Sequence, residues 1–106
     1  MGDDHQVHQR LLQRFLDNAL QQRDALHSAA LQGDFATLLT QAHNLKSAAR
    51  SVGALALADL CQQLESASSA RDLPGCQPLA QQIPAALAQA QARIEQHLAD
   101  LEKPAS

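Results

Sequence analysis

The chain has 106 residues, of which 45% are hydrophobic and 18% are charged, and this length suits one small domain rather than two. Its formal net charge is −3, so nucleic acid is not an expected partner, because binding to phosphate backbones needs an excess of positive charge. No apolar run approaches the roughly eighteen residues that span a bilayer, and we expect no direct membrane contact.

The apolar residues are mostly Leu and Ala, with few β-branched or aromatic side chains, and this composition is typical of helices. The first residues are acidic, unlike the basic start of a secretory signal. The two cysteines, Cys61 and Cys76, form no Cys-x-x-Cys motif, so neither a disulfide framework nor a zinc site is predicted. We therefore expect a reduced, cytoplasmic location.

Two helices are predicted in the first half of the chain. Apolar residues spaced by three and four predict a helix from about residue 7 to 31, ended by Gly33. Asp34 is the expected N-cap of a second helix, which runs to about Ser51 and stops at Gly53. The predicted core residues are Leu11, Leu12, Phe15, Leu16, Ala19, Leu26 and Ala30 in the first helix, and Leu38, Ala42, Leu45, Ala49 and Val52 in the second.

Two further helices are predicted in the second half. The third covers about residues 54–70, and a break at residues 71–75 leaves Cys76 between helices. The last covers about residues 78–101, with a bend near Pro84. The predicted core residues are Leu57, Leu60, Cys61 and Leu64 in the third helix, and Ile83, Leu87, Ala90, Ile94, Leu98 and Leu101 in the last.

Short connections favour antiparallel neighbours, so the predicted fold is all-α, an up-and-down four-helix bundle. The bundle forms a single domain, residues 1–106, with flexible termini at residues 1–6 and 102–106. Four apolar stripes close one core without a second copy, which predicts a monomer.

His43 is the first candidate for chemistry. On a helical wheel it lies roughly 140° from the core stripe of the second helix, so it should face solvent, and Leu39, Lys46, Ser47 and Arg50 lie on its side. The unprotonated nitrogen of a neutral imidazole can attack an activated phosphoryl group. The two cations would offset the negative charge of the product, and the small Ser47 leaves the approach to the ring open.

The chain contains no sequence feature for using ATP itself. A Gly-rich phosphate loop and a carboxylate cluster for Mg²⁺ are both missing, so we expect no cofactor, no metal site and no kinase activity. His5 and His8 are spaced for a metal site, but two ligands near a helix end make a poor one, and we expect them to be solvated.

Residues 42–54 (AHNLKSAARSVGA) and 60–65 (LCQQLE) resemble the histidine-containing phosphotransfer (HPt) domain family. The resemblance consists of a His-x-Leu-Lys run, a Gly ten residues after the His, and a Cys-x-x-Leu-Glu-like segment in the following helix. Ser47 departs from the pattern, since many members have Gly there.

The resemblance implies a four-helix bundle in which His43 takes a phosphoryl group from the phospho-aspartate of one receiver domain and passes it to another. Lys46 would stabilise the phosphoryl group, Gly53 would form a turn, and Glu65 would hydrogen-bond the imidazole from the neighbouring helix. Leu39, Ser47 and Arg50 would contact the receiver or the phosphoryl group. The receiver would supply Mg²⁺.

Such domains act in multistep phosphorelays of hybrid sensor kinases and response regulators, on their own or as the C-terminal domain of a membrane-bound kinase. One alternative is a docking module without phosphoryl chemistry. Another is the dimerisation and phosphoacceptor domain of a histidine kinase, although the chain lacks the His-Glu-x-x-x-Pro pattern.

Overall fold

A computed structural model describes the backbone of residues 3–102 and the side chains of residues 9–100. It contains four helices, α1 (Asp3–Gln32), α2 (Phe35–Ser51), α3 (Leu55–Ser69) and α4 (Leu73–Glu102). Both α1 and α3 pack against α2 and α4, and within the described residues the diagonal pairs have no Cα atoms within 8 Å of each other. This ring of neighbouring contacts is the four-helix bundle that the sequence predicts.

The core consists of one apolar stripe from each helix, because residues three and four apart share a helix face. Burying a Leu or Ile side chain contributes about 2 kcal/mol. Leu11, predicted to be in the core, is 43% exposed. Four other predicted core residues are only partly buried: Leu16, Val52, Leu60 and Leu98. The side chain of Leu101 lies outside the described residues. The largest fully buried side chains are Leu26, Leu38, Leu45, Leu57, Leu64, Ile83, Cys61 and Cys76.

Two glycines and one aspartate set the ends of α2. Gly33 and Gly53 have φ angles of 67° and 77°, which favour glycine because a Cβ is strained there. The Asp34 carboxylate accepts hydrogen bonds from the Thr37 backbone N–H at 3.2 Å and its hydroxyl at 2.6 Å. These bonds lower the pKa of Asp34. The helix stop at Gly53 leaves a short turn, so α3 folds back along α2.

The helix α4 begins at Leu73, whereas the sequence predicts a break over residues 71–75 and a start near residue 78. The reason is Asp72, whose carboxylate accepts the Gly75 N–H at 3.1 Å and whose carbonyl accepts the Cys76 N–H at 2.9 Å. Pro74 fits in the first turn because that turn has no intrahelical partner for its N–H.

Cys76 is consequently not between helices, as the sequence predicts, but fully buried within α4. Its sulfur lies 3.6 Å from the Ser68 hydroxyl on α3. Cys76 therefore packs as a small apolar side chain where α3 meets α4.

The first and last helices of the chain are longer than predicted. The helix α1 begins at Asp3 rather than near residue 7, and α4 continues to Glu102 through Pro78 and Pro84. Residues 1–2 and 103–106 of the expected flexible termini lie outside the described residues. No helix in the described part of the chain is long and apolar enough to span a membrane.

The start of α4 provides a test of packing around Asp72. A Cβ added at Gly75 would overlap Asp72 Oδ2, so Gly75→Ala must displace the capping carboxylate. We expect it to lower the free energy of unfolding by up to about 1 kcal/mol, because the lost cap costs more than the better helix propensity of Ala regains. Urea denaturation followed by circular dichroism measures this change.

The matched background is Asp72→Ala, which removes the clashing carboxylate. In that background we expect Gly75→Ala to be neutral or stabilising. Equal destabilisation by Gly75→Ala in both backgrounds would contradict this account of the cap.

Candidate functional site

His43 lies on the outer face of α2. The buried stripe fixes its direction, since Ala42 and Leu45 on either side are fully buried. The His43 side chain is 62% exposed, as predicted from the helical wheel. The imidazole is therefore open to a partner that approaches α2 from solvent.

Glu65 reaches His43 from the neighbouring helix α3. Cys61 and Leu64 are buried against the core, and their positions direct Glu65 towards α2. Glu65 Oε1 lies 2.8 Å from His43 Nδ1. The Glu65 side chain is only 14% exposed, so the exposed ring is held by a largely covered carboxylate. This contact has the geometry expected from the sequence.

Lys46 is oriented differently from the prediction. The sequence places it on the solvent-facing side of α2 beside His43, but its side chain is only 10% exposed. Its Nζ donates to Glu65 Oε2 at 2.7 Å and to Gln62 Oε1 at 3.1 Å. A covered ammonium needs such partners, because burying an unpaired charge is costly. The packing of α3 against α2 supplies them.

The Glu65 carboxylate thus joins an imidazole and an ammonium, one on each oxygen. The hydrogen bond from Lys46 is the largest cause that lowers the pKa of Glu65, and the bond from His43 adds to it, while burial opposes both. An ionised carboxylate only accepts hydrogen bonds, so His43 Nδ1 carries the proton. The lone pair of the ring is then on Nε2.

Three further predicted residues surround the ring. Leu39 and Ser47 lie four residues before and after His43, one helical turn away on each side, and both are exposed. Arg50 is also exposed, and within the described residues its side chain has no ion-pair partner. These side chains lie on the same exposed face of α2 as His43, whereas Gly53 lies in the α2–α3 turn and has no side chain to contribute.

Gln62 is a site residue that the sequence reasoning missed. It precedes Glu65 by three residues, so both side chains leave the same face of α3 towards α2. That spacing could have identified Gln62 once Glu65 was singled out. The sequence did not indicate that the amide oxygen of Gln62 accepts a hydrogen bond from Lys46.

Among the described side chains, Cys61 is the other candidate near this cluster. Burial and then the nearby charge of Glu65 raise the pKa of the Cys61 thiol to about 12, so the thiol is a poor nucleophile. His5 and His8 lie outside the described side chains. Among the side chains that the structure does describe, no group of three or more His, Cys, Asp and Glu residues could hold a metal ion.

The shared carboxylate makes stability depend on pH. Because the pKa of Glu65 is lowered below its usual 4.5, ionised Glu65 stabilises the fold above that pH, and this contribution is lost as the pH falls through the lowered value. We expect Glu65→Gln to lower the free energy of unfolding by about 1–3 kcal/mol at pH 7, and by progressively less below pH 4.5.

Chemical denaturation between pH 7 and pH 3 measures the difference between the two proteins. Glu95→Gln is the matched control, because Glu95 is an exposed residue whose carboxylate accepts from Gln91 on its own helix. A loss of stability in Glu65→Gln that is equal at every pH would contradict the assignment of the loss to charge.

Comparison with known proteins identifies the family of this chain. The family model described as "Hpt domain" matches residues 10–93. The crystal structure of histidine-containing phosphotransfer protein B (HptB) from Pseudomonas aeruginosa PAO1 superposes with a TM-score of 0.80 at 27% identity, covering 84% of this chain and 77% of that chain. No curated protein matches the sequence. The chain belongs to the Hpt domain family, whose members are phosphohistidine carriers in two-component phosphorelays.

Proposed function

We propose that His43 is the phosphorylated residue of this carrier and that Nε2 is the atom that bonds to phosphorus. The observation that carries the proposal is the 2.8 Å contact between His43 Nδ1 and Glu65 Oε1, on an imidazole that is 62% exposed. Donation from Nδ1 to the ionised Glu65 carboxylate leaves the Nε2 lone pair for attack.

In the proposed step, Nε2 attacks the phosphorus of a receiver phospho-aspartate. A nitrogen–phosphorus bond forms, and the phosphorus–oxygen bond breaks with its electron pair leaving on the aspartate carboxylate. The ring keeps its Nδ1 proton and gains positive charge, which the Glu65 carboxylate stabilises. Transfer onwards to a second receiver is the same exchange in reverse. The direction of flow depends on the two receivers.

The surrounding side chains have separate roles in this proposal. Lys46 is close to Glu65 and offsets the negative charge that arrives with the phosphoryl group. Arg50 is exposed and faces the incoming acidic site of the receiver, while Leu39 offers an apolar contact. Ser47 keeps the approach to the ring open because its side chain is small. A phosphoryl contact from its hydroxyl would make Ser47→Ala slower in transfer.

We further propose that the carrier has no ATP-dependent activity and no metal of its own, and that receiver domains supply both the acyl phosphate and Mg²⁺. It acts in the cytoplasm as a monomer, without contact to nucleic acid or membrane. The same site serves a separate carrier or a domain of a hybrid sensor kinase.

The first test is labelling from a receiver domain charged with radioactive acetyl phosphate. We expect label on the wild-type chain that is acid-labile and base-stable, and none on His43→Gln. His27→Gln is the matched control, since His27 is an exposed histidine of α1, and it should label like the wild type. If His43→Gln labels normally, or a folded wild type takes no label from a broad receiver panel, a docking role without chemistry is the better account.

The second test separates access from reactivity at Ser47. Ser47→Tyr places a large side chain one turn from His43, and we expect at least a tenfold slower transfer from a receiver because the two surfaces cannot meet. Labelling by phosphoramidate, a small donor that loses ammonia, should change little. Ser69→Tyr, a bulky change at an exposed position at the end of α3, is the control. Equal slowing with both donors would contradict a role in access.

A further inference from the structure

The ammonium of Lys46 has two acceptors of different kinds. Glu65 Oε2 is a charged acceptor at 2.7 Å, and Gln62 Oε1 is a neutral one at 3.1 Å. Within the described residues the structure gives Lys46 no other side-chain acceptor. The bond to the carboxylate is shorter and charge-assisted on both sides, so the bond to the amide is the weaker of the two.

The two acceptors are also unequal in what else they hold. Glu65 orients the imidazole through its other oxygen. A movement of Glu65 away from Lys46 would therefore also disturb the orientation of His43. Gln62 is exposed and, among the described side chains, its amide oxygen is bonded to Lys46 alone. An N–H of Lys46 can therefore leave Gln62 at small cost to the rest of the site.

We infer that Gln62 is a positioning residue whose amide oxygen holds an N–H of Lys46 before transfer and yields it to a phosphoryl oxygen on His43 afterwards. This inference rests on the proposed function of His43. No covalent bond of Gln62 or Lys46 changes in this exchange, since one hydrogen-bond acceptor replaces another. The phosphoryl oxygen is the stronger acceptor because it is charged.

The neutrality of Gln62 is essential to this role. With neutral His43, the charges of Lys46 and Glu65 cancel, and the cluster has no net charge before transfer. A carboxylate at position 62 would hold Lys46 as strongly as Glu65 does and would repel the incoming phosphoryl group. An apolar side chain would remove the acceptor that competes with the phosphoryl group.

Two variants of Gln62, with side chains of similar length, should therefore have opposite effects on the phosphotransfer equilibrium. The experiment mixes the chain with a charged receiver domain and measures how the phosphoryl group divides between the two at equilibrium. We expect Gln62→Met to shift the equilibrium towards phosphohistidine by about threefold, because only the unphosphorylated state loses a bond. Gln62→Glu should shift it towards the receiver by about tenfold.

Gln63→Met and Gln63→Glu are the matched controls, because Gln63 is the next residue, is exposed, and bonds Asp59 on its own helix. Both should divide the phosphoryl group as the wild type does. The inference is overturned if the two Gln62 variants shift the equilibrium in the same direction or not at all. The second result is expected if the phosphoryl group accepts only from the third N–H of Lys46, which bonds neither Glu65 nor Gln62. Absence of label on the wild type would instead refute the proposed function.

Discussion

The carboxylate of Glu65 is the interaction on which the site depends. One oxygen accepts from the imidazole of His43 and the other from the ammonium of Lys46, so a single side chain of α3 orders two side chains of α2. The ammonium keeps the carboxylate ionised, and the ionised carboxylate keeps the ring proton on Nδ1. In the proposed function, this charge arrangement leaves Nε2 as the nitrogen that attacks.

The bundle makes this cluster possible by fixing the register of α2 against α3. Gly53 ends α2 in a conformation that favours glycine, and the short turn returns the chain antiparallel. The buried stripes of α2 and α3 then determine which side chains meet where the two helices pack together. His43 lies far enough around α2 to remain exposed to solvent, whereas Lys46 lies between the two helices. The packed pair of helices thus presents one exposed imidazole that is held by a largely covered carboxylate.

This arrangement suits a carrier that exchanges phosphoryl groups with receiver domains. A carrier must accept the group and also give it up, so its site should stabilise the phosphorylated ring only moderately. In the role inferred for Gln62, the cancelling charges of Lys46 and Glu65 and the weak amide acceptor avoid a strong preference for either state.

Helical periodicity and chain breaks were enough to determine the four helices, the Asp34 cap, the turn at Gly53 and the exposure of His43, because these depend on residues close in the chain. The sequence motif also singled out Glu65 as the partner of the imidazole. The early start of α4 was missed because its signal is an aspartate cap followed by Pro74 and Gly75, residues that usually indicate a break. The burial of Lys46, its contact with Gln62 and the place of Cys76 were decided only by the tertiary structure. A helical wheel describes one helix, whereas these contacts arise where two helices pack together.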